Sequence, residues 1–234
     1  DRCLSRGLGD VYKRQIVVRR QALLQLVSVF SLKLLTLQMS KTNRKGKSKV
    51  LDTNQLDNLI SNLPQKHHKL IASICRNTAC RISEACQLKW EDLRPDKYYP
   101  AIYFPKEITK GKLKPREIPV SRDLMNELMQ YKEDCWYLKA ESTEPNCYLF
   151  KSRNPNEHFS VRGFQHALKA AIERTNLQGA SSHSFRRTSL TSAHNAGVPT
   201  RHLMAVSGHA SMDTLAGYLE VKDEDMVNAT NKFA

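Results

Sequence analysis

Four short segments of this 234-residue chain carry arginine, lysine, histidine and tyrosine at spacings that suit chemistry on a phosphate. In chain order, the segments span residues 78–93, 109–120, 183–188 and 207–218. A phosphodiester carries one negative charge, which grows as phosphorus becomes five-coordinate, and planar guanidinium groups bind its oxygens two at a time. A tyrosine hydroxyl, with a pKa of about 10, needs help to act as a nucleophile at neutral pH. The segments therefore predict phosphoryl transfer supported by cationic side chains.

The same residues argue against a metal-dependent reaction. No paired carboxylates stand out as a two-metal site, and there is no Gly-x-x-x-x-Gly-Lys phosphate loop. Cys75, Cys80 and Cys86 lie at steps of five and six residues, which suits neither zinc binding nor one helix face. We therefore predict no metal and no cofactor.

The order of the four segments resembles the catalytic domain of the tyrosine recombinases, the phage-integrase family. The resemblance covers about residue 51 to the end of the chain, with Tyr218 nine residues after the Gly208-His209 pair. The catalytic residues that it implies are Arg81, Lys110, His183, Arg186, His209 and Tyr218. It also implies that Glu84 supports Arg81, although an ordinary helix-surface ion pair would place the two residues at the same spacing.

The resemblance assigns a role to each reacting group. Tyr218 is the nucleophile, and His183 is placed to accept its proton. His209 would hold the phosphate or the attacking oxygen by hydrogen bonding. Lys110, on a hairpin that enters the minor groove, would protonate the leaving 5′-oxygen, with Lys112 as the alternative one register step away.

The basic residues point to a polyanionic partner. Lys and Arg number 37 against 23 Asp and Glu, for a formal net charge of +14. Residues 1–50 hold 12 basic and two acidic side chains, so most of the net charge lies outside the recognisable domain. The DNA contacts predicted within that domain are Lys112, Lys114, Arg116 and Arg187.

The implied partner is duplex DNA that carries a specific recombination site. The resemblance also implies a homotetramer on two paired sites, with a DNA-bending accessory protein as a further candidate partner. No apolar run reaches the roughly 18 residues of a membrane span, so no membrane partner is predicted. We expect a cytoplasmic, nucleoid-associated protein encoded by a bacterium or a phage.

Apolar periodicity predicts an α+β fold dominated by helices, with a small antiparallel hairpin or three-stranded sheet. Strands are expected at 101–104 and 116–120, around a turn at 109–112. The helices are expected at 52–63, 67–78, 83–90, 122–139, 160–175, 184–195, 199–206, 211–219 and 223–230. The resemblance implies the DNA breaking-rejoining fold of the tyrosine recombinases.

The chain divides into two predicted parts, residues 1–50 and the catalytic domain at 51–234. Residues 22–37 have helical spacing, and 41–49 are basic without periodicity. The first methionine is Met39, and two origins stay open for residues 1–50. They are either sequence that does not belong to the native protein, or the remnant of a truncated core-binding domain.

The function implied is site-specific recombination through a 3′-phosphotyrosyl intermediate, as in integrases, excisionases or DNA-inversion enzymes. A non-catalytic DNA-binding protein of similar fold and a type IB topoisomerase-like enzyme are the alternatives. Four residues depart from the family pattern: Ala79 where Gly is usual, Arg187 where His is frequent, Ser207 where Leu is usual, and Gly217 where a bulkier residue is common.

Overall fold

The computed structural model describes residues 46–109, 111, 114–137, 144–154, 156–220, 226–227 and 230–231. Several predictions concern residues outside these ranges: Lys110, Lys112, the helix at 22–37 and most of the helix at 223–230. The compact unit that contains the recognisable domain runs from Ser48 to Ala234.

The first helices have the ends that local chemistry dictates. Helix α1 (Thr53–Ser61) begins at Asp52, whose side chain accepts from the Gln55 amide at 2.8 Å. Helix α2 (Lys66–Thr78) ends at Ala79 in the left-handed conformation, with φ of 48°. Because the chain reverses there, α3 (Ile82–Cys86) starts immediately beside the end of α2.

The prediction of a helix over 83–90 is wrong for its second half. Helix α3 stops at Cys86, and a short 3₁₀ turn follows at Trp90–Asp92. The Leu88 carbonyl accepts from the Leu149 amide at 2.8 Å, and the Trp90 amide donates to the Cys147 carbonyl at 3.1 Å. Pairing with this distant segment replaces the helical hydrogen bonds.

Three antiparallel strands form the sheet in the order β1 (Leu93–Arg94), β2 (Ala101–Phe104) and β3 (Arg116–Pro119). Ile102 pairs with Ile118, and Phe104 pairs with Arg116. The register places Arg116 at the end of the hairpin where it meets the helices. The predicted α+β class with a small three-stranded sheet is confirmed.

Further helices complete the described part of the fold. They are α4 (Arg122–Tyr137), α5 (Val161–Thr175), α6 (Ser182–Asn195), α7 (Thr200–Ser207) and α8 (Met212–Ala216). Helix α6 packs on α2 and α7, and its Phe185 is fully buried in the main core. This burial holds the first turns of α6 in the interior.

A second, smaller apolar cluster supports the last helices. It joins Ala79, Leu190, Leu203 and Leu215, with Tyr218 packed against it. The helix predicted over 211–219 ends at Ala216, and residues 217–220 form a turn that we call the Tyr218 turn. The cluster thereby sets the position of Tyr218 relative to α6 and α7.

Candidate active site

A buried carboxylate joins two arginines from different parts of the chain. Glu84 accepts from the Arg81 amide at 3.0 Å and from Arg81 Nη1 at 2.9 Å. Its other partner is Arg116 Nη2, and the Glu84 side chain is only 1% exposed. Burial raises the pKa of this carboxyl. The Arg116 charge and the hydrogen bonds from both arginines lower it by more, so the pKa lies below its ordinary value. Glu84 is therefore an anion held between two cations.

Arg116, predicted from the sequence as a DNA contact, is not a solvated side chain of the hairpin. Its side chain is 11% exposed, lies over the Phe104 ring at 4.9 Å and binds Glu84. Gly208, with φ of 69°, allows this approach because a Cβ there would overlap Arg116 Nη1. The geometry makes Arg116 an internal support of the Arg81–Glu84 pair.

Arg186 is the most completely enclosed cation of the site, at 1% exposure. One terminal nitrogen donates to the Ala79 carbonyl, and Nη2 donates to the Ser207 carbonyl at 2.8 Å. Its Nε–H has no hydrogen-bond partner among the described residues. Burial, and then the charge of Arg81, lower the pKa of Arg186 to about 10, so it remains a cation at neutral pH.

His209 bridges Ser207 and Arg186. The Ser207 hydroxyl lies 2.6 Å from the Leu203 carbonyl, to which it donates, and 2.7 Å from His209 Nδ1. With its one hydrogen committed, the hydroxyl accepts from Nδ1–H, and Nε2 accepts from Arg186 Nη2 at 3.0 Å. Burial, and then the Arg186 charge, lower the pKa of His209 to about 4. The ring is consequently neutral at neutral pH, and both of its nitrogens are engaged.

Tyr218 lies where these elements converge. Its ring centroid is 4.8 Å from that of His209 and 6.3 Å from that of His183. The Arg186 guanidinium carbon is 5.3 Å from the same ring. Every predicted catalytic residue that the structure describes thus meets in one site: Arg81, His183, Arg186, His209 and Tyr218.

Two predicted DNA contacts have contrasting positions. Lys114 is exposed in the loop between β2 and β3, just before β3, as a DNA contact requires. Arg187 is 8% exposed, and its side chain donates to the backbone carbonyls of Tyr218 and Ser48. The guanidinium of this predicted DNA contact is therefore turned into the protein.

The described ranges hold no group of three or more His, Cys, Asp or Glu side chains arranged for a metal ion. No helix within those ranges is long and apolar enough to cross a membrane.

Sequence reasoning missed what Ser207 does. It registered the residue only as a departure from the usual leucine, whereas the hydroxyl accepts from His209 and determines which ring nitrogen is protonated. A polar residue two positions before a predicted catalytic histidine was the only local signal. The carbonyl of Leu203, which orients the hydroxyl, lies one helical turn earlier in α7.

The domain is largely helical and gathers two arginines, two histidines and a tyrosine around one site. Its fold is that of the catalytic domain of tyrosine recombinases. The XerA recombinase crystal structure matches it with a TM-score of 0.64 at 19% identity, over 81% of this chain and 66% of that chain. XerH site-specific recombinase, in a post-cleavage complex with palindromic difH substrate, matches with a TM-score of 0.66 at 17% identity. That match covers 81% of this chain and 54% of the XerH chain.

The chain belongs to the phage integrase family, whose sequence profile it matches over residues 49–225. Tyrosine recombinase XerA of Pyrococcus horikoshii is 26% identical over 189 residues, which make up 80% of this chain. The aligned part spans 62% of that relative's length. These findings confirm the family and the fold that the sequence predicted.

Proposed function

We propose that this chain is the catalytic part of a site-specific recombinase that cuts and rejoins duplex DNA through a 3′-phosphotyrosyl intermediate. The observation that carries the proposal is the placement of the Tyr218 ring against Arg186, between the rings of His183 and His209. A phenol, a proton acceptor and an enclosed cation are what attack on a phosphodiester needs.

In the proposed step, the Tyr218 oxygen forms a bond to phosphorus while the bond from phosphorus to the 5′-oxygen breaks. His183, exposed at the first turn of α6, takes the phenolic proton. Lys110 protonates the 5′-oxygen, a role that rests on the family resemblance. Rejoining reverses these transfers with a new 5′-hydroxyl, so the phosphotyrosyl bond conserves the energy and no ATP is required.

The arginines neutralise the charge that develops on the non-bridging oxygens. Arg81 is oriented by Glu84, which Arg116 anchors from the sheet side. Arg186 is held by backbone carbonyls of Ala79 and Ser207. Because these contacts exist before substrate arrives, the site has little reorganisation left to do when the transition state forms.

The geometry favours a revised role for His209. Its Nε2 accepts from Arg186 and its Nδ1 donates to Ser207, which leaves no ring proton for a phosphate oxygen in this arrangement. We therefore assign His209 to the orientation of Arg186.

The proposed partner is duplex DNA with a specific site. The XerH site-specific recombinase, which has the same fold and is bound to palindromic difH substrate, supports this. A homotetramer on two paired sites and a DNA-bending accessory protein complete the proposal by family resemblance. Lys114, exposed on the hairpin, is the described side chain best placed for a backbone phosphate.

The test uses the full chain and a library of nicked duplexes with randomised cores, since a nick next to the cleavage position traps the covalent intermediate. The wild-type protein is expected to form a denaturant-resistant adduct, and peptide mapping should locate the nucleotide on Tyr218. Tyr218→Phe should form none, whereas Tyr99→Phe, a change at an exposed tyrosine, should match the wild type.

Adduct formation by Tyr218→Phe at the wild-type rate would refute the assignment of the nucleophile. A wild-type protein that binds duplexes without forming any adduct would instead favour a non-catalytic DNA-binding protein. Rejoining distinguishes the remaining alternative: a recombinase exchanges ends between two duplexes, whereas a topoisomerase-like enzyme changes only the supercoiling of one.

A further inference from the structure

Arg187 connects two backbone segments that are far apart in sequence. Its Nε donates to the Tyr218 carbonyl at 3.3 Å, and its Nη1 donates to the Ser48 carbonyl. The side chain is 8% exposed, so these hydrogen bonds form in an environment from which water is largely removed. A single guanidinium thus spans from the Tyr218 turn to the first residues of the compact unit.

The Tyr218 turn has a second attachment on the same helix. Thr191, one helical turn after Arg187 in α6, donates from Oγ1 to the Tyr218 carbonyl at 3.4 Å. The Glu220 amide donates to the same hydroxyl at 3.3 Å. The main chain on both sides of Leu219 is therefore fastened to one face of α6, and Arg187 supplies the charged contact.

Residues 48–51, which we call the leading segment, are attached to α6 and to the residues just before it. The Ser48 hydroxyl lies 2.6 Å from that of Ser181, and the Lys49 amide donates to the Gly179 carbonyl at 2.9 Å. The Leu51 amide donates to Thr188 Oγ1 at 2.9 Å. Arg187 and Thr188 are adjacent, so the leading segment and the Tyr218 turn share one short stretch of helix.

We propose that Arg187 is a positioning residue: it holds the main chain of Tyr218 so that the phenol faces Arg186, and it couples this position to the leading segment. The proposal rests on the proposed function for its catalytic consequence, but the coupling itself is a property of the fold. A planar guanidinium suits the role because it donates in two directions at once, which an ammonium group on a flexible stem does less rigidly.

The first experiment compares Arg187→Met and Arg187→Lys with the wild-type full chain. Single-turnover adduct formation on a trapped-site duplex should slow by about 10-fold to 100-fold in Arg187→Met, since a hydrogen bond from a charged group is lost. The dissociation constant for the same duplex should change by less than about twofold, because the guanidinium donates to carbonyls inside the protein and not to a phosphate. Arg187→Lys should recover part of the rate.

Arg122→Met is the matched control. Arg122 also donates to a backbone carbonyl, that of Tyr98 at 3.2 Å, but it is exposed and belongs to α4. Its loss should leave both the adduct rate and the binding constant unchanged. If Arg187→Met weakens DNA binding and lowers the salt dependence of binding by about one phosphate contact, Arg187 is a DNA contact and the proposal is wrong.

The second experiment does not depend on catalysis. Hydrogen exchange of the peptide covering 212–220 should accelerate in Arg187→Met, while exchange in α2 stays at the wild-type rate. Thr188→Val removes the acceptor of the Leu51 amide, at the opposite end of the link. It should also accelerate exchange at 212–220 in the wild-type background, but add little in the Arg187→Met background.

If Thr188→Val accelerates exchange at 212–220 equally in the wild-type and Arg187→Met backgrounds, the leading segment and the Tyr218 turn are independent. That result would overturn the coupling. An unchanged exchange rate at 212–220 in Arg187→Met would overturn the positioning role itself. Failure of the wild-type protein to form an adduct would refute the proposed function, whereas the exchange measurements would still decide the role of Arg187.

Discussion

Replacement of Glu84 tests the central electrostatic feature of the site. The carboxylate is 1% exposed and accepts three hydrogen bonds, two from Arg81 and one from Arg116. In Glu84→Ala the two guanidinium groups lose their shared anion while their side chains, 20% and 11% exposed, remain largely shielded from water. Removal of one partner from a buried ion pair typically costs about 3–5 kcal/mol. We expect a loss of at least about 3 kcal/mol in the free energy of unfolding.

The matched control is Glu173→Ala, the same substitution in an exposed ion pair. Glu173 lies 3.8 Å from Lys169 on α5, and the two side chains are 65% and 69% exposed. Such pairs contribute less than about 1 kcal/mol. Urea unfolding of the full-length variants at pH 7, followed by circular dichroism, measures both changes in the same way.

The pH dependence provides a second measurement of the same interaction. The pKa of Glu84 is lower in the folded protein than in the unfolded chain, so its stabilisation is present in full above the unfolded value of about 4.3. It is lost as the pH falls through the lower folded value. The difference between wild type and Glu84→Ala should therefore be constant from pH 7 to about 5.5 and shrink below about 4.

Similar losses of stability in Glu84→Ala and Glu173→Ala, both below about 1 kcal/mol, would refute the argument that Glu84 is a buried anion between two cations. A difference between wild type and Glu84→Ala that grows on acidification would refute the sign of the pKa shift.

The remaining predictions concern α7, its His209 contact and the two helix ends. Ser207→Ala leaves the His209 Nδ1–H without its acceptor, so single-turnover adduct formation should slow by about 10-fold. Ser207→Thr should retain most of the rate. Equal rates for the two variants would show that the hydroxyl does not support His209. Gly208→Ala should destabilise the fold by more than about 1 kcal/mol, because Gly208 has φ of 69° and its new Cβ meets Arg116. Ala79 has φ of 48°, so Ala79→Gly should raise the free energy of unfolding by up to about 1 kcal/mol in the same urea assay. A stabilising Gly208→Ala or a destabilising Ala79→Gly would contradict the strain argument.

Much of the fold and of the site followed from local sequence. Asp52 and Ser160 cap helices through their own side chains, and apolar periodicity predicted helices over 67–78 and 160–175, where α2 and α5 lie. The candidate catalytic set was recognisable because its order and spacing along the chain are particular to one family. Local pattern also predicted the hairpin, since the aromatic and β-branched residues of 101–104 are followed by a turn at 109–112.

The sequence by itself determined the family, the fold class and the groups available for chemistry at a phosphate. The tertiary structure decided which of the basic side chains are exposed: Arg116 and Arg187 resemble Lys114 in charge, but they are turned inward to Glu84 and to the Ser48 and Tyr218 carbonyls. Those partners lie 32, 139 and 31 residues away, so no local pattern encodes them. Burial depends on long-range packing, and in a protein interior a charged side chain must find a partner wherever the fold supplies one.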